Sequence, residues 1–130
     1  MGLVRRFVRH VESLGVHSLW VQEQILGPTP FLEPVSLLNY VAAVTEDVRL
    51  GTAVVIISTR NPVLLAKELS TLDQMSGGRL IVGLALGGRP RMYPLLGGPS
   101  ERRVRHFVEC LEVMKALWTQ ERASYHGSFW

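Results

Sequence analysis

Three short clusters carry residue types able to do chemistry: Glu23-Gln24, Thr52-Ala53-Val54 and Gly87-Gly88-Arg89. A carboxylate such as Glu23 can hydrogen-bond a substrate or accept a proton, whereas the Gln24 amide cannot act as a base at neutral pH. Gly87 and Gly88 let backbone approach a ligand closely, and Arg89 can meet a phosphate or a carboxylate. Each cluster also has a plainer reading: a loop charge at Glu23, an ordinary buried strand end at Thr52–Val54, a flexible turn at Gly87–Arg89.

Other reactive types offer less. His10, His17, His106 and His126 show no metal-ligand spacing and no partnering cysteine, so no metal site is expected. Cys110 falls among Phe107, Leu111 and Met114 and reads as a small buried hydrophobe. No G-x-S-x-G elbow is present. The run GLALGG is not a dinucleotide fingerprint, and Pro90 blocks an immediate helix start.

The elements that must position these clusters follow from periodicity. Leu50–Ile57 and Leu80–Leu86 are almost continuously apolar, as in parallel strands covered on both faces. Between them, Asn61 is a good N-cap with Pro62 at the first helical position; Val63–Met75 is the helix and Gly77-Gly78 its stop. Upstream, Val4, Phe7, Val8, Val11 and Leu14 form one helical stripe ending at Gly15, before a short strand at Ser18–Val21. Pro34 opens a second helix, running to about Thr45 with Leu37, Leu38, Val41 and Ala42 inward. Downstream, Ser100 is the expected cap of a helix burying Val104, Phe107, Val108, Leu111, Met114, Leu117 and Trp118, and the tail from Ala123 reads as a hairpin opening. Strand–helix units at roughly thirty-residue spacing predict an α/β fold with a parallel sheet, either open or closed into a barrel. In both, chemistry sits at the carboxyl ends of the strands, where the three clusters fall. Asp73, Ser76, Gly77, Gly78 and Arg79 fall at the opposite ends and read as structural, and Lys67 and Glu68 as solvated.

The chain has 130 residues, 47% apolar and 19% charged, an ordinary globular composition. No run of about 18 apolar residues exists to span a membrane. The basic start lacks the basic–apolar–small order of a secretory signal. A single cysteine excludes an intrachain disulfide and fits a cytoplasmic setting. The net charge of +3 comes from arginines on helix faces, interleaved with Glu12, Glu101, Glu109 and Glu112. Solvated faces explain them better than nucleic-acid binding.

The segments SLWVQEQ, TEDVRLGTAV, RNPVLLAKELSTLDQMSGGRLIVGLALGG and LWTQERASYHGSFW, in this order and spacing, resemble the luciferase-like monooxygenase superfamily, in particular its deazaflavin (coenzyme F420) branch. The resemblance covers nearly the whole chain. It implies a TIM (β/α)8 barrel, of which residues 1–130 correspond to the second strand through the fourth helix. The expectation is a partial barrel domain truncated at both ends, from a truncated or split gene. It would pair with a complementing C-terminal half or form a homo-oligomer, and hold only half a cofactor pocket.

By the same resemblance, a reduced deazaflavin or flavin passes hydride equivalents to a small organic substrate, or activates dioxygen to insert one oxygen atom. F420 is the favoured cofactor and FMN the alternative. Thr52, Ala53 and Val54 would back the cofactor ring, with a cis peptide at Ala53–Val54 and the small Ala53 leaving room for a planar ring. Gly87, Gly88 and Arg89 would approach the cofactor. Glu23 and Gln24 would be the catalytic pair. Sugar-phosphate dehydrogenases of the family carry a histidine at Gln24 and a glutamate at Gly88, so these two departures argue against that activity. The alternative from another class is a non-catalytic barrel fragment that binds a partner through exposed strand edges.

Overall fold

The computed structural model describes residues 2–130. Its helices are α1 (Gly2–Ser13), α2 (Pro34–Ala42), α3 (Pro62–Met75) and α4 (Arg103–Thr119), and its strands β1 (Ser18–Val21), β2 (Arg49–Thr52), β3 (Val55–Ile56), β4 (Leu80–Ile81) and β5 (Leu84–Ala85). β1, β2 and β4 form a sheet in that order, and β3 and β5 form a two-stranded ladder. β2 runs parallel to both its neighbours: Ser18 to Val21 of β1 face Arg49 to Thr52, and Leu50 and Gly51 face Leu80 and Ile81. Parallel neighbours need a crossover, which α2 and α3 supply.

Two expected strands are each broken. Leu50–Ile57 divides after Thr52 and Leu80–Leu86 after Ile81, because hydrogen bonds around Gly83 replace the regular ladder at both breaks. Leu80–Leu86 is half-buried rather than fully covered.

The chain divides into two compact units, Met1–Val55 with Thr71–Gly83, and Ile56–Ser70 with Leu84–Trp130. In the first, Leu38 and Val41 of α2 pack a core with Val8, Leu50 and Leu72. The apolar stripe of α1 is largely open: only Val8 is buried, while Phe7 is 59% and Leu14 67% exposed. Glu33 caps α2, its carboxylate accepting from the amides of Val35 and Ser36 at 3.1 and 2.6 Å. Glu12 is not a solvated helix charge. One of its oxygens accepts from the amides of Glu46, Asp47 and Val48 at 2.8–3.1 Å, tying the end of α1 to the turn before β2. Burial pushes its carboxyl up, but those donors and Arg79 outweigh it and the pKa is lowered.

Arg79 holds the same region from β4's side. Nε donates to Ser76 O at 2.7 Å, Nη1 to Thr45 Oγ1 and Val48 O at 3.0 Å, and Nη2 to the carbonyls of Ala42 and Thr45 at 3.1 Å. Every face of the guanidinium fork is spent on neighbouring chain, which is the structural role its position predicts.

In the second unit, Asn61 caps α3 as its type predicts, Oδ1 accepting from Val63 and Leu64 at 3.0 and 3.2 Å. Trp118 donates from Nε1 to Ala66 O at 3.1 Å, joining α4 to α3. α4 departs from expectation at both its start and its face. It begins after Arg102, not Ser100; Arg102 is left-handed (φ 48°), makes no side-chain cap bond, and places its guanidinium 5.0 Å over the Phe129 ring. The buried face holds His106, Glu109, Cys110, Val113, Met114 and Ala116, whereas Val104 is 66% exposed. The tail is coil rather than strand and lies against this polar-bearing face, bound by the buried Glu109.

Candidate functional site

The β1–β2 register decides what meets at the strand ends. Val21 faces Thr52, so Gln22–Gln24 and Ala53–Val54 leave the sheet side by side at its carboxyl edge. The Ala53 amide donates to Val21 O at 2.7 Å, fixing the two exits together. Glu23 and Gln24 are half-buried, Ala53 is exposed and Val54 half-buried. The Gln24 side chain folds over Gly27, where a Cβ would overlap its amide. The peptide between Ala53 and Val54 is cis.

Thr52 differs from Ala53 and Val54 because it is wholly buried. Its hydroxyl donates to Gly83 O and accepts from Gly83 N, both at 2.9 Å. Val55 N also donates to Gly83 O at 2.9 Å. A Cβ on Gly83 would collide with the Thr52 carbonyl oxygen, so only glycine permits this approach. Gly83 escaped the sequence reading; a lone glycine inside an apolar run was the available signal of a bulge or close backbone approach.

The third cluster belongs to the second unit. Gly87 takes φ 86°, and a Cβ there would press on Ile56 Cγ2 at 2.7 Å and the Tyr93 hydroxyl oxygen at 3.2 Å. Tyr93, itself buried, donates its hydroxyl to the carbonyls of Leu86 and Gly87. Gly87 is therefore occupied with packing, while Gly88 is exposed with open space about it and Arg89 is also exposed.

The strongest electrostatic perturbations lie elsewhere in the second unit. Burial pushes the Glu109 carboxyl up, but the amides of Ser128 (3.0 Å) and Phe129 (2.8 Å) and the Arg105 guanidinium (2.6 Å) outweigh it and hold it at about 2. Burial lowers His106 and pushes the Cys110 thiol up to about 11, the opposite of what a nucleophile needs. Among the described residues, no group of three or more His, Cys, Asp and Glu side chains is placed to hold a metal ion. No helix among them is long and apolar enough to cross a membrane.

The first-unit edge offers a small exposed side chain, Ala53, beside the polar Glu23 and Gln24. A flat aromatic ring could lie on such a surface with its polar rim toward the two side chains, so these residues fit a flavin-like group.

Parallel strands joined by helices, with polar groups at their carboxyl ends, define an α/β protein of repeated strand–helix units. The profile of the luciferase-like monooxygenase family matches residues 2–130, and the chain belongs to that family. It is 43% identical over 98 residues to an uncharacterized protein of Mycobacterium tuberculosis, covering 75% of this chain and 35% of that one. It is 32% identical over 101 residues to the FMNH2-dependent dimethylsulfone monooxygenase of Pseudomonas putida, covering 75% of this chain and 28% of that one. Among solved structures, the monooxygenase RslO1 from Streptomyces bottropensis superposes with a TM-score of 0.86 at 30% identity, over 97% of this chain and 39% of that one. An F420-dependent secondary alcohol dehydrogenase, in complex with an F420-acetone adduct, shares the fold with a TM-score of 0.81 at 23% identity, over 95% of this chain and 40% of that one. The chain spans about a third of the length of the curated relatives it matches.

Proposed function

We propose that this chain forms part of a flavin- or deazaflavin-dependent oxidoreductase acting on a small organic molecule. The observation that carries the reading is the β1–β2 register, which brings Glu23-Gln24 and Ala53-Val54 to one edge. When bound, the cofactor supplies hydride equivalents or activates dioxygen for a one-atom insertion. The chain's own residues orient and shield. Ala53 and Val54 back the ring, Glu23 accepts a hydrogen bond or a proton from the substrate, and Gln24 holds a polar group without titrating. Gly88 and Arg89, which belong to the second unit, have by their types the capacity for a close backbone approach and for pairing with an anion. The resemblance of the sequence segments to the deazaflavin branch favours F420, and the FMNH2-dependent relative supports FMN.

Fluorescence titration of the chain with FMN and with F420, oxidised and reduced, tests the reading. Saturable binding of one cofactor, weakened by Ala53→Trp, is the expected result. Absence of binding to either rejects it.

One observation favours a second reading, a chain that binds a partner rather than catalysing. α1, β1 and α2 enclose an apolar groove of about 410 Å³, lined by Leu3, Val4, Phe7, Leu19, Trp20 and Leu37 among others. Among the described residues β1 is an edge strand of its sheet, and a sheet edge is a template for another strand. Concentration-dependent self-association with no cofactor binding would support this second reading.

A further inference from the structure

We infer that Thr52 is a positioning residue, its hydroxyl bridging both main-chain groups of Gly83 to fix the Ala53–Val54 segment without touching the cofactor. The inference rests on the cofactor reading above and assigns Thr52 a different part in it.

A threonine hydroxyl has one proton to give, and Gly83 O receives it at 2.9 Å; a lone pair accepts from Gly83 N at the same distance. The side chain is wholly buried, leaving no surface for a ligand. Ala53 and Val54 hang between two anchors, the Ala53 amide on Val21 O and the Val55 amide on Gly83 O. The first anchor belongs to the β1 exit. The second is only as fixed as Gly83, which sits in the gap between β4 and β5. There the Thr52 hydroxyl does what a ladder partner would do for both groups of the glycine. The collision awaiting any Cβ on Gly83 shows how closely the two chains approach. Threonine suits the task because β-branching restricts its rotamer and keeps the hydroxyl aimed.

The test compares the wild-type chain with T52V, which keeps the shape and deletes the bridge, and T52S, which keeps the hydroxyl. Cofactor affinity is read by FMN and F420 titration, the bridge by amide hydrogen exchange at Gly83, and stability by thermal melting. In T52V, Gly83 should exchange about tenfold faster and the cofactor should bind about tenfold more weakly, the scale of one lost hydrogen bond. T52S should recover most of both. Gly83→Ala is the second variant; it displaces the anchor with the hydroxyl intact and should weaken the cofactor likewise, which keeps the test decisive if T52V fails to fold. T52V binding as tightly as wild type, unchanged exchange at Gly83, or T52S as impaired as T52V would each overturn the assignment. A wild-type chain that binds neither cofactor overturns the functional reading itself, and is recognised before any variant is made.

Discussion

The Glu109 carboxylate and the Arg105 guanidinium, one turn apart on α4, meet at 2.6 Å, with the carboxylate wholly buried and the arginine side chain 56% exposed. The same carboxylate accepts the amides of Ser128 and Phe129, tying the tail to the helix. The arrangement predicts acid sensitivity. A carboxyl held at about 2 in the folded chain and near 4.3 when unfolded stabilises the fold fully above the unfolded value. That contribution is lost as pH falls from about 4.3 toward 2. Glu109→Gln should melt below wild type at pH 7, and the gap should narrow across that window. Thermal melts followed by circular dichroism at stepped pH would read it; a constant gap contradicts the prediction.

Arg79→Lys should be destabilising by about 2–4 kcal/mol, because an ammonium cannot serve the oxygens that the planar fork serves together. Denaturant unfolding measures the loss. Cofactor affinity extrapolated to the folded fraction should hold, since Arg79 lies at the opposite ends of the strands from Ala53.

Gly51 lies under the Trp20 indole, where a Cβ would overlap the ring. Gly51→Ala should therefore lift Trp20 and cost about 1–3 kcal/mol. Lower thermal stability together with a red-shifted tryptophan emission is the expected pair of readouts.

The Cys110 thiol, pushed up to about 11 by burial, is about one part in a thousand thiolate at pH 8. Labelling by a disulfide reagent should be slow in the native chain and immediate in denaturant. Fast native labelling would show that the packing around α4 opens readily.

Local chemistry was the legible part of this fold. Asn61-Pro62 declares a helix start because cap and first turn are adjacent in sequence, and α3 begins there. β1 was plain from its apolar residues, and its pairing with β2 follows from the repeat of strand and helix. What escaped depends on partners far along the chain. Glu109 looks like a surface charge until residues 19 and 20 positions away supply its amide donors. With those donors drawing Glu109 inward, the inner face of α4 turns away from its apolar stripe, leaving Val104 exposed and His106 buried. Apolar runs concealed the breaks at Thr52 and Ile81, because hydrophobicity does not report where a hydroxyl takes over from a ladder. At the candidate site, the strand-end positions of Glu23, Gln24, Ala53 and Val54 were legible, whereas the bridge from Thr52 to Gly83 needed the fold.

Arg102 leaves one more consequence. A left-handed arginine costs about 1 kcal/mol relative to glycine, and its cation–π contact with Phe129 returns a similar amount. Near-cancellation makes this junction a neutral site for sequence drift: glycine relaxes the turn and forgoes the aromatic contact, arginine does the reverse, and the helix behind it starts in the same place.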